Sequence, residues 1–123
     1  AGGRLPTDAE WVAAAYTEQR AAPPAPFVAG RSYPYPTGES PRGAACRGDC
    51  GGDGQAHRPV ARGPAGVNGL HDLGGNAWEW VDQGSDADRR TRGGSWWYGA
   101  PQMRADHLQG KPVDVAKARD SVA

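Results

Sequence analysis

Asn68-Gly69-Leu70-His71-Asp72-Leu73-Gly74-Gly75-Asn76-Ala77-Trp78-Glu79-Trp80, followed after a charged spacer by Arg92-Gly93-Gly94-Ser95-Trp96-Trp97, sets the character of this chain. Core strands are not normally written this way. Glycines crowd against tryptophans and carboxylates, so backbone turns, large aromatic surface and acidic oxygens fall within a few residues of one another. An irregular segment of this kind holds its shape only when something pins it, and a bound cation is one candidate.

Working outward, the composition agrees with a need for pinning. The chain has 123 residues, one domain at most. Leu, Val and Phe together number 13 and Ile is absent, while 19 glycines and 11 prolines favour irregular backbone. Five tryptophans offset part of the aliphatic deficit, because each can bury a large area. Such a core calls for a staple: a metal, a disulfide or a partner chain. Basic and acidic residues balance at 14 each, which gives no electrostatic reason to expect a nucleic-acid partner. No apolar run is long enough to span a bilayer, and the chain does not open on a signal-peptide pattern.

Upstream, Arg4-Leu5-Pro6-Thr7-Asp8-Ala9-Glu10-Trp11 reads as a helix start. Thr7 can cap the helix, Glu10 can reach back to close a capping box, and Asp8 suits the positive end of the helix dipole. Leu5 or Pro6 can pack against Trp11. Ala-rich sequence predicts a helix to about Arg20, stopped by Pro23, Pro24 and Pro26, with Trp11, Ala14 and Ala15 on one buried stripe. From Phe27 to Pro64 no periodicity survives, and a long structured loop is expected. Trp78 to Val81 and Thr91 to Trp96 are predicted as two short strands. Alternation puts Trp78 and Trp80 on one face and Glu79 on the other. Val113 to Ala123 has weak helical or loop character.

The blocks Arg4 to Trp11, Gly69 to Trp80 and Arg92 to Trp96, in this order and spacing, resemble the formylglycine-generating enzymes, also called sulfatase-modifying factors. The resemblance implies an α+β, mostly irregular, C-type-lectin-like fold. It also implies that residues 1–123 are a partial domain, without the family's N-terminal half and its C-terminal Gly-Phe-Arg strand.

Site residues follow from the same resemblance. A family calcium ion is held at the positions of Asp72, Gly75, Ala77 and Glu79, the outer two through side chains and the inner two through carbonyls. Hard oxygens of mixed type suit Ca2+, and the glycines let carbonyls turn inward. Alternatively, Asp72 caps a turn and Glu79 pairs with an arginine. A second family calcium site maps weakly onto Ala45 and Cys46, then Asp53 and Gln55, because its Asn side chain is lost.

The chemistry departs from the family at the copper site. Family oxidases bind copper through two cysteines, three and eight residues after the Ser of the Gly-Gly-Ser block. Counting on from Ser95 gives Tyr98 and Met103. A phenol and one thioether do not replace the soft thiolates that Cu(I) requires, so copper and formylglycine-generating activity are not expected. His57, His71 and His107 show no paired spacing that would build an iron site.

Cys46-Arg47-Gly48-Asp49-Cys50 can close a small disulfide; free thiols or pairing outside this segment are the alternatives. Its Arg-Gly-Asp tripeptide resembles an integrin-binding loop, though three residues also describe any polar turn. Trp96, Trp97, Tyr98, Met103 and Arg104 are the residue types enriched at binding hot spots and are expected to form a ligand or partner surface; core packing is the competing role. The expected function is a non-catalytic, calcium-supported binding or accessory subunit within a larger protein assembly. The alternatives are a divergent metal-dependent oxidase or oxygenase, and a structural gap-filling subunit. The cysteine pair and the calcium preference point outside the cytoplasm, to a bacterial periplasm.

Overall fold

A computed structural model of the chain describes residues 2–51, 56–82 and 90–107. The order of elements is a helix α1 (Asp8–Tyr16), a 3-10 turn at Val67–Gly69, strand β1 (Glu79–Val81), strand β2 (Arg90–Arg92) and a second 3-10 turn at Ala100–Met103. The rest of the described chain is turns, bends and isolated bridges, an α+β arrangement with little regular structure.

Helix α1 begins as its sequence dictates. The Thr7 hydroxyl accepts from the Glu10 backbone N–H, and the Glu10 carboxylate accepts from the Thr7 backbone N–H. Both halves of a capping box are therefore present. The helix ends at Tyr16, earlier than the expected Arg20. Tertiary bonds take over the backbone there. Glu18 donates its N–H to Arg31, Tyr33 donates to the Tyr16 carbonyl, and Gln19 donates to the Asn68 side chain. Asn68 itself donates to the carbonyls of Ala14 and Thr17, which closes the helix C-terminus with a side chain 51 or more residues away. The buried stripe is Trp11, Ala15 and Tyr16, with Ala14 only half-buried.

Strands β1 and β2 pair antiparallel, with Glu79 opposite Arg92, Trp80 opposite Thr91 and Val81 opposite Arg90. The second strand stops at Arg92 rather than running on to Trp96. Gly93 and Gly94 both take positive φ (95° and 76°) and break the extended run. Alternation along β1 turns Val81 fully inward with Glu79 on the same side.

Among the described residues, two small cores result. Trp11, Ala15, Tyr16 and Val81 form one, with Val12, Leu73 and Ala105 against it. Ala44, Cys46, Cys50, Ala100 and Met103 form the other, flanked by Tyr35. The Tyr16 hydroxyl ties them together by donating to the Met103 carbonyl at 2.7 Å. The expected disulfide is present: Cys46 and Cys50 are bonded, with Cα atoms 5.7 Å apart. The expected segment Val113 to Ala123 lies outside the described residues. Among the described residues, no helix is long and apolar enough to cross a membrane.

Candidate metal centre and aromatic surface

The Gly/Trp-rich stretch is held from behind before it presents anything forward. Gly75 takes φ 75°, donates its N–H to Gly93 and bridges to Ala45; a Cβ there would sit 2.4 Å from the Ala45 carbonyl oxygen. Asn76 donates its backbone N–H to the same Ala45 oxygen and accepts that of Trp96 on its own carbonyl. Its side-chain amide accepts from the Arg58 N–H at 2.8 Å and donates to the Arg58 carbonyl at 3.2 Å. The long loop upstream is therefore hung on residues 75 and 76.

On the other side the stretch lines a cavity of about 360 Å³, bounded by Val60, Ala61, His71, Asp72, Asn76, Ala77 and Glu79. Three of the four expected calcium positions, Asp72, Ala77 and Glu79, meet there. Gly75 does not line it and is buried against Ala45 and Gly93. Val60 and Ala61 joined the lining without any sequence signal, and His71 and Asn76 lie within the Asn68 to Trp80 block but were not named as calcium positions.

The two carboxylates have different supports. Glu79 Oε2 accepts from the Trp11 indole N–H at 2.7 Å. Burial pushes the Glu79 carboxyl above its ordinary range, the Trp11 bond opposes this, and the negative charge of Asp72 adds to the rise. Asp72 takes φ 59° and is engaged on both oxygens. Oδ1 accepts from Arg58 Nε at 3.3 Å and Nη2 at 3.2 Å, while Oδ2 accepts from the Ala61 N–H at 3.0 Å. The arginine partner anticipated for Glu79 thus belongs to Asp72, and Glu79 has an indole instead.

The donor set fits a hard cation. Asp72, Asn76, Ala77 and Glu79 bring carboxylate and amide groups to one cavity, and the charge of Asp72 bears on Glu79; oxygens of these kinds are what a hard cation takes. Among the described residues no three His, Cys, Asp or Glu side chains converge as a metal cluster, so carbonyls would have to complete any such site. Asp53 and Gln55, named for the second calcium site, lie outside the described residues, and the Ala45 carbonyl of that set is taken by the Asn76 N–H.

The histidines are dispersed. His57 is exposed with its ring edge-on to Trp96, His71 Nδ1 lies 3.0 Å from the Gly63 carbonyl, and the His107 carbonyl accepts from Arg92.

Past Ser95 the aromatic side chains collect on one exposed face. Trp97 is 53% exposed and Tyr98 41%. Trp96 meets Trp97 edge-on at 5.5 Å, and Tyr98 meets Trp78 at 5.3 Å. The Arg47 guanidinium lies 3.6 Å from the Trp97 ring centre, and the Arg47 N–H donates to the Tyr98 carbonyl. The Arg-Gly-Asp turn is thereby tethered to this face through its first residue. Met103 corrects the expected surface: it is 1% exposed and packs in the core with both disulfide cysteines. A flexible thioether fills that irregular gap well. Arg104 turns toward Asp106 and Tyr35.

Residues 1–119 match the model of the sulfatase-modifying factor enzyme 1-like domain, nearly the whole chain. The chain belongs to this family, whose fold is C-type-lectin-like, and the sparse, irregular elements described above accord with it. A search of curated proteins returns no match.

Proposed function

We propose that this chain is a non-catalytic, calcium-supported domain of the sulfatase-modifying factor family that serves as a binding or accessory subunit in a larger protein assembly. The observation that carries the reading is the fate of the two positions after Ser95. Family oxidases hold copper there with thiolates. Here Tyr98 meets Trp78 edge-on, and Met103 is buried in the core with both cysteines of the Cys46–Cys50 disulfide. Neither offers a thiolate, and the sulfur of Met103 is committed to packing.

Asp72 and Glu79 would hold the calcium ion, with the Ala77 carbonyl between them in sequence. Bound there, the ion supplies charge neutralisation and cross-linking rather than redox chemistry. Exposed Trp97 and Tyr98, with half-buried Trp96 beside them and Arg47 on the Trp97 ring, support the binding role, because aromatic and Arg side chains dominate interface energetics. A disulfide persists in oxidising compartments, which supports a place outside the cytoplasm and, in a bacterium, the periplasm.

Thermal unfolding tests the calcium half of the proposal. The midpoint should fall when EGTA replaces millimolar calcium, and an unchanged midpoint rejects it. Incubation with Cu(I) and a cysteine-containing sulfatase peptide tests the catalytic half. No aldehyde is expected, and aldehyde formation overturns the reading.

A further inference from the structure

We propose that Arg58 is a built-in cation that competes with the divalent ion for Asp72 and so sets the affinity of the candidate metal centre. The inference rests on the calcium reading above. Asp72 has about four lone-pair positions on its two oxygens. Arg58 takes two of them with Nε and Nη2 on Oδ1, and the Ala61 N–H takes one on Oδ2. An incoming ion therefore has one free direction on Asp72 unless the guanidinium withdraws.

Arg58 is also anchored where it stands. Its backbone is clasped on both sides by the Asn76 amide, and Nη2 donates to the Gly43 carbonyl at 2.6 Å. The same Nη2 reaches both Gly43 and Asp72, and its bond to Gly43 is the shorter, so the guanidinium can give up its longer bonds to Asp72 and keep the Gly43 carbonyl. Gly63 leaves room for the arrangement: a Cβ there would lie 2.2 Å from Arg58 Nη2. The backbone clasp keeps the competitor beside the site whether or not the ion is bound. Side-chain withdrawal is then the whole of the exchange.

Calorimetric titration of CaCl2 into the chelator-stripped native chain and into Arg58→Met tests this. Methionine keeps an apolar stem and removes the charge. Removing a positive charge a few ångströms from a divalent ion should tighten its dissociation constant about tenfold or more. Equal or weaker affinity in the variant overturns the role of Arg58 and leaves the calcium reading standing. Binding to neither protein rejects the calcium reading, and this inference falls with it. Should Arg58→Met fail to fold, the native chain decides by nitrogen-15 NMR. The Arg58 Nε–H resonance is expected to move as calcium saturates the protein, and a resonance that stays fixed during saturation overturns the proposal.

Discussion

The Trp11 indole N–H, one helical turn into α1, donates to Glu79 Oε2 on β1 across 68 residues of sequence. One side chain thereby fills the first core and orients a carboxylate of the candidate metal centre. Trp11→Phe keeps most of the apolar surface and removes the donor. Leaving a half-buried carboxylate without its hydrogen bond should lower unfolding stability by about 1–3 kcal/mol, read from the urea midpoint. A midpoint equal to the native one would mean that Glu79 finds water instead.

Gly75 and Gly48 both take positive φ, at 75° and 96°, yet only Gly75 faces a backbone oxygen. An Ala at either position carries the conformational cost, about 1 kcal/mol. Gly75→Ala adds a 2.4 Å approach to the Ala45 carbonyl, whereas Gly48 opens onto free space. The Gly75 variant is expected to lose clearly more stability than the Gly48 variant. Equal losses in chemical denaturation would show that the Ala45–Gly75 bridge yields cheaply.

Acid should weaken the fold through two carboxylates of the first helical turn. Arg92 forms a fork on Asp8, Nε to Oδ1 at 2.6 Å and Nη2 to Oδ2 at 2.8 Å, and this hydrogen bonding holds the Asp8 carboxyl below its ordinary range despite burial. Glu10 is brought down to about 2, first by Arg4 and then by the Thr7 cap. A depressed folded-state value contributes stability that is complete above the unfolded value and lost as pH falls through the folded one. The loss from Glu10 should therefore run from about pH 4.5 down to about 2. Asp8→Asn should flatten the acid limb of a stability-against-pH curve and lower the neutral plateau by about 1–2 kcal/mol. An acid limb as steep as the native one assigns the acid loss to other groups.

Reduction should loosen both the second core and the aromatic face. Cys46 and Cys50 are only four positions apart, so chain entropy alone gives a cross-link worth about 2 kcal/mol. The ring also seats Arg47 on Trp97. Dithiothreitol, or Cys46→Ser with Cys50→Ser, should lower the melting temperature and shift tryptophan emission. Emission that stays constant while stability falls would separate the ring from the stack.

Local chemistry was readable in the sequence, and distant pairing was not. The Thr7–Glu10 box spans three residues and needs no tertiary help, and the position of β1 followed from apolar alternation. The early end of α1 was hidden because Asn68, which closes it, is more than fifty residues away. Asp72, Ala77 and Glu79 were brought to one cavity by a motif readable as a block. Arg58 was invisible because it enters from a loop without periodicity. Met103 was misplaced because residue type alone does not distinguish a hot-spot thioether from a core filler; the adjacent disulfide decides it.

The glycine clasp at Gly75 and Asn76 has a consequence for anyone who would borrow this motif. Residues 68–97 look like a self-contained cassette, but Glu79 is aimed by Trp11, Asp72 is held by Arg58 and Ala61, their turn is seated on Ala45, and Asn76 grips Arg58. Spliced into a foreign scaffold, the cassette would arrive without its foundations. What a lineage must preserve is the scattered footing, not the conspicuous block that sits on it.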